Sequence, residues 1–303
     1  MNISKINSVS LFQNINCKNN QINKMYNMPC DSVSFSGKKD IAKQEYSPIA
    51  QEGISVGKKL LKLARSNSLN YGNLDNVLNE KSPVPIGVED VKNLPSIAKS
   101  DFGKVVAHML PGYTPDFKLG IANIYLGAMP KTAKEEADFC ANVAHEYTHV
   151  LQRANDTNYY GLLNYTKNPD EVTHIARKSK SLMDNMGQVC QQNLFHSEKD
   201  VKTTLEKIKN NKFDIEKTLG KIDFNDIIEN TSFNLALQLG KNPKDMKNAI
   251  KGWIIQETQN EKEAYSVTLE VLERSKFDPD IRARRILSKE IFSYINKSLQ
   301  DNE

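Results

Sequence analysis

Cysteine is scarce in this chain: four among 303 residues, with no C-x-x-C spacing. Cys17, Cys30, Cys140 and Cys190 are too few to staple a chain of this length. They fit reduced thiols and point to a cytoplasmic setting. Long apolar runs are missing as well. No stretch approaches the roughly eighteen apolar residues that a membrane span needs, so no transmembrane segment is expected. Met1 to Asn20 carries scattered Asn and Lys without an apolar h-region, so no secretory signal is expected either. Charge of one sign is not in excess: 41 basic against 37 acidic residues leave +4. Bases and acids are interleaved, as over Ile208–Lys221, and no basic run alternates with aromatics. This argues against nucleic acid as a partner. Finally, neither Gly nor Pro occurs from Thr132 to Asp156, so that segment can be one unbroken helix.

The length suffices for one large domain with a proper core. Residues 1–45 are rich in Asn, Ser, Lys and Gln and show no apolar period, as in a disordered or loosely held N-terminal arm. The domain itself is expected over 46–303. A first helix is expected over Pro48–Ser66. Ser68–Lys99 looks loop-rich, broken by Pro83, Pro85 and Pro95. Phe117 to Leu126 reads FKLGIANIYL, the β-branched and aromatic character of a strand, and Gly127 follows it. After Arg153 the chain is almost wholly helical over 156–303. Ser197 and Asp200 start one helix, Asp226–Leu239 forms another stopped by Gly240, Pro243–Ser275 a long one, and a last one begins near Asp278. Tyr159, Tyr160, Leu162, Leu163 and Tyr165 are expected to cover the core. The fold class expected is mainly α (α+β), with a small β-sheet next to the helix at 132–156.

What the chain does contain is five histidines, two of which bracket a glutamate in Val143-Ala144-His145-Glu146-Tyr147-Thr148-His149-Val150-Leu151. HEYTH matches the pattern HExxH. Residues four apart share a helical face, so His145 and His149 can aim two imidazoles at one point. Glu146, turned by one residue, is placed to hold a water beside it. Two neutral imidazoles, an open coordination position and a carboxylate base are the layout of a zinc hydrolase. The flanking residues are uncharged. Phe139, Val143, Tyr147 and Val150 form an apolar stripe on the face away from the histidines, with Cys140 as core.

Strand, short connection, then HExxH helix resembles the zincin metallopeptidase core over about 115–155. That resemblance implies a metallopeptidase domain holding one Zn²⁺. It also implies an edge strand that binds extended peptide, here Ala122, Asn123, Ile124 and Tyr125 of Ala122–Leu126. A third ligand is still needed. The metzincin continuation is excluded, because Gln152 stands where its Gly belongs and no third His follows. Glu171 is one candidate, but Asn168-Pro169-Asp170-Glu171 has the form of a capping box with Glu171 at its third helical position. His174, one turn on, reads as solvent-facing. Glu261 is the other candidate. It shares a largely apolar face with Ile254, Glu257, Ala264, Thr268 and Leu272, where an unpaired carboxylate would be costly. Glu263 instead shares its face with Gln256, Gln259 and Glu270 and looks solvated.

Glu261-Lys262-Glu263-Ala264 also resembles the ExxA third-ligand helices of gluzincin-type peptidases, the HtpX-like and ImmA-like families among them. The match favours Glu261, with Glu171 still open. Tyr265 replaces the Asp or Asn that follows the Ala in those families. The expected activity is zinc-dependent hydrolysis of peptide bonds, with Glu146 as general base and a peptide or protein as substrate. Tyr159, Tyr160, Tyr265 and His174 are candidates for oxyanion stabilisation. Two other readings stay open: a non-catalytic binding or regulatory protein on the same fold, and a helical interaction protein in which HEYTH is coincidence.

Overall fold

The computed structural model describes residues 46–93 and 107–300. The expected N-terminal arm, 1–45, lies outside them. The described chain is mainly helical with one small sheet, the class expected. In order it runs α1 (Pro48–Arg65), α2 (Tyr71–Asn79), β1 (Ile86–Asp90), β2 (Ala107–Tyr113), β3 (Leu119–Leu126) and α3 (Ala133–Asn155). Helices α4 (Leu162–Tyr165), α5 (Pro169–Leu194), α6 (Glu198–Lys209), α7 (Ile215–Leu219) and α8 (Asn225–Leu239) follow. The long α9 (Pro243–Glu273) and α10 (Pro279–Gln300) close the fold.

Helix boundaries follow from side-chain chemistry. Thr132 and Glu135 form a reciprocal capping box at the start of α3. Asn242 caps α9, with Pro243 in the first turn, where its missing N–H costs nothing. Gly240, in the left-handed region at φ 62°, ends α8. Within the stretch expected to be loop, the structure instead has α2 and β1. Asn70 caps α2, and Leu74 and Leu78 bury the only apolar face such a short helix offers. Its Asn79 side chain bonds Ile86 N and O, tying the helix to the first strand.

The sheet order is β1-β3-β2. β1 pairs with β3 in parallel and β2 pairs with it antiparallel. β3 is therefore the central strand, which corrects the expectation that it forms an edge. Ala122, Asn123, Ile124 and Tyr125 are in register with β1 on one side and β2 on the other, so their backbone groups are committed to the sheet. Of the two outer strands among the described residues, β2 is the one packed on α3. Pro111 sits there without harm because an edge strand can lack a ladder donor.

Two apolar cores flank α9. One gathers α1, α2, the sheet, α3 and the late residues Val267, Val271 and Leu272 of α9. The other gathers α4 to α8, α10 and the early residues Met246, Ile250, Trp253 and Ile254 of α9. Helix α1 packs close against α3 and α9 through Gly53 and Gly57. A Cβ on Gly53 would come within 2.4 Å of Thr148 Oγ1, and one on Gly57 within 2.3 Å of Val271 Cγ2. Helical glycine costs about 1 kcal/mol relative to alanine, which this close approach offsets.

Candidate metal centre

Helix α3 buries Phe139, Val143, Tyr147 and Val150, with Cys140, in the first core, as the apolar stripe requires. This leaves His145, Glu146 and His149 on the side facing α9 and β2. On α9, Ile254, Ala264, Thr268 and Leu272 are buried. Ala264 presents only a methyl group there, so Glu261, one turn earlier, reaches the imidazoles. The Nε2 atoms of His145 and His149 lie 3.1 Å apart. Glu261 Oε2 is 3.6 Å from the first and 3.8 Å from the second. Among the described residues these three form the group able to hold a metal ion. Four-coordinate zinc with bonds near 2.0–2.1 Å has ligand–ligand edges of about 3.4 Å. The observed triangle fits that size.

The far side of each imidazole is also engaged. His145 Nδ1 lies 3.1 Å from Thr268 Oγ1, and Thr268 bonds in turn to the Ala264 carbonyl. His149 Nδ1 lies 2.8 Å from Gln152 Oε1. An Nδ1–H donated outward leaves the Nε2 lone pair facing the cluster, the arrangement in which a ligand histidine is held. Tyr265 packs its ring edgewise on His145 with centroids 4.6 Å apart. Burial first, then Glu261, pushes its phenol up to about 12, while Arg285 opposes the shift.

Electrostatics bind the cluster together. Burial works against charge on His149, yet Glu261 and then Glu146 outweigh it and push its pKa up to about 9. Burial alone would raise the Glu261 carboxyl, but His149 and His145 hold it well below the usual carboxylate range. Glu146 stands outside the triad and accepts the Met109 N–H of β2 at 2.9 Å. It is half-buried, beside the cluster and on the sheet's edge. His108, next along β2, is within electrostatic reach of Glu146 and His149, and burial lowers its pKa.

The other candidates fall elsewhere. Glu171 bonds the Thr166 hydroxyl at 2.6 Å and Lys241 at 3.1 Å, away from the histidines. Asn168 does cap α5, through Asp170 N, but Glu171 reaches side chains and not the cap amide. His174 is half-buried and not part of the triad. The Tyr160 hydroxyl is held by Asn260 at 2.6 Å, and the ring lies under the Arg153 guanidinium at 4.3 Å. Tyr159 and Tyr160 pack on the second core, as expected for core cover.

Gln152, Thr268 and Met109 are the contributors that sequence reasoning missed. Gln152 stands three residues after His149 and so shares its face, a usable signal. Thr268 shares the Glu261 face but shows no role until α3 is laid against it. Met109 acts through its backbone, for which no sequence signal exists. No protein-family model, curated protein or solved structure matches this chain.

Proposed function

We propose that this protein is a zinc-dependent metallopeptidase of gluzincin type. The observation that carries the reading is the convergence of His145, His149 and Glu261 at ligand spacing, from two separate helices. The donor set, two imidazoles and one carboxylate with each imidazole held from behind, suits a catalytic zinc with an open position. When bound, zinc supplies Lewis acidity there, polarising a carbonyl and easing loss of a proton from water.

Glu146 is the general base in this reading. Its carboxylate takes the proton of the attacking water and passes it to the leaving amine. The Met109 N–H fixes its orientation from the edge strand. The substrate is a peptide or protein segment lying along β2, since β3 is paired on both sides. His108 and Lys180 lie within electrostatic reach of the same cluster. Lys180 is held by Asp184 at 2.7 Å and interacts electrostatically with Glu261.

The test is peptide cleavage by zinc-loaded protein, followed by mass spectrometry of a mixed peptide library. Cleavage by the native chain and none by Glu146→Gln, with zinc present in both, supports the proposal. Full zinc occupancy without any cleavage favours the non-catalytic reading instead.

A further inference from the structure

Behind His149 a hydrogen-bonded path leaves the metal triad and enters a polar cleft of about 600 Å³, lined in part by Gln152, Asn260 and Glu263. Gln152 Nε2 donates to the Asn260 carbonyl at 3.0 Å and to Glu263 Oε2 at 2.8 Å. A primary amide has two N–H donors. Both are taken, so the amide oxygen must face His149, where it lies 2.8 Å from Nδ1. That oxygen can only accept. The neutral imidazole must therefore carry its proton on Nδ1, leaving the Nε2 lone pair toward His145 and Glu261. Glu263 is itself held from the far side by the hydroxyl of Ser47, the N-cap residue of α1. The expectation that Glu263 is merely solvated thus does not describe its contacts.

We infer that Glu263 is a positioning residue for the metal centre: it locks the Gln152 amide and so selects the metal-binding tautomer of His149. The inference rests on the reading that His145, His149 and Glu261 hold a metal. Without the carboxylate only the Asn260 carbonyl still holds the amide in this orientation, and the preference for it weakens. A lysine at 263 would drive it over, because an ammonium cannot accept. The amide would then offer an N–H to Nδ1 and place the imidazole proton on Nε2, the atom the metal needs. Glutamine at 263 keeps an acceptor oxygen but removes the charge, which separates orientation from simple attraction between Glu263 and the cation.

The experiment is competitive zinc titration of the full chain with a chromogenic chelator, for native protein, Glu263→Ala, Glu263→Gln, Glu263→Lys, Gln152→Ala and the Gln152→Ala/Glu263→Ala double variant. Circular dichroism checks that each is folded. Loss of an outer partner of a metal ligand typically costs 10–100-fold in affinity. Glu263→Ala should weaken zinc about tenfold, Glu263→Lys more, and Glu263→Gln should stay within about threefold of native. In the Gln152→Ala background, Glu263→Ala should cost nothing further, since the coupling runs through that amide. Equal losses for the Gln and Ala variants, or an undiminished effect without Gln152, would overturn the inference while leaving the metal site intact. Native protein that binds no zinc would overturn the site and the inference together. If Glu263→Lys does not fold, the Ala–Gln comparison and the double variant decide alone.

Discussion

Three carboxylates of this chain have different surroundings, and their substitutions should separate cleanly. Glu146→Gln keeps the shape of the group and the metal triad but has no usable base. Peptide hydrolysis should fall about 10²–10⁴-fold with zinc retained, as measured by turnover and elemental analysis. Glu261→Ala removes one of three ligands and should lower zinc affinity sharply in a chelator competition. Glu171→Ala breaks contacts with Thr166 and Lys241 far from the triad. It should cost on the order of 1 kcal/mol in denaturant unfolding and leave zinc in place. Binding should also depend on pH. His149 is raised from an ordinary 6.5 to about 9 because Glu261 and Glu146 outweigh its burial, so zinc must displace its proton below that pH. Affinity should therefore climb about tenfold per pH unit from 6.5 toward 9. For the metal-free fold the signs differ. The raised His149 stabilises fully below 6.5 and loses this as pH rises through 9. The depressed Glu261 stabilises above its ordinary 4.5 and loses this as pH falls through its lowered value. Their joint contribution should peak between 4.5 and 6.5 in thermal unfolding of chelator-treated protein. His145, Glu146 and His149 were legible because their geometry is local to one helix. Glu261 was legible because a carboxylate on an apolar face needs a partner. Gln152, three residues after His149 on α3, carries a local signal, whereas Thr268 gains its role only through apposition of two helices, which spacing along one helix does not encode.

At the scale of the element, the informative correction is β3. A run of apolar and β-branched residues identifies a strand but not its neighbours, and the partner β1 was hidden in a proline-broken stretch that looked like loop. The consequence is testable. Ile124→Pro sits opposite Val88 on one side and Met109 on the other, so it removes a donor from a central ladder. It should destabilise strongly in urea unfolding and lose zinc along with the fold. A variant that folds natively and loses only hydrolysis would contradict the central placement. Helix α1 offers a second test of packing over propensity. Alanine at Gly57 should gain about 1 kcal/mol from helix propensity alone. Its Cβ would instead lie 2.3 Å from Val271 Cγ2 and 3.2 Å from the Ala144 Cβ. The overpacking should win, with a net loss of about 1–2 kcal/mol in denaturant unfolding.

For the whole molecule, α9 is the organising element, with one end in each core and Glu261 between them. The mainly helical class and the long helices were legible from unbroken periodic segments and their caps. The meeting of α3 with α9 was legible through Glu261 and the small Ala264, whereas the packing of α1 on both helices through Gly53 and Gly57 was not, because nothing in a helical glycine names its neighbour. Among the described residues no helix is long and apolar enough to cross a membrane. A metal held between α3 and α9 should stabilise the entire fold. Free zinc at a thousand times its dissociation constant would add about 4 kcal/mol, seen as a higher melting temperature that a chelator reverses. The central claim is that His145, His149 and Glu261 together hold one ion. It is tested most directly by elemental analysis of protein purified from zinc-supplemented cells, native beside His149→Ala and Glu261→Ala. One zinc per chain in the native protein, and little in either variant, is the expected result. Native protein without zinc, or variants that retain it in full, would contradict the account.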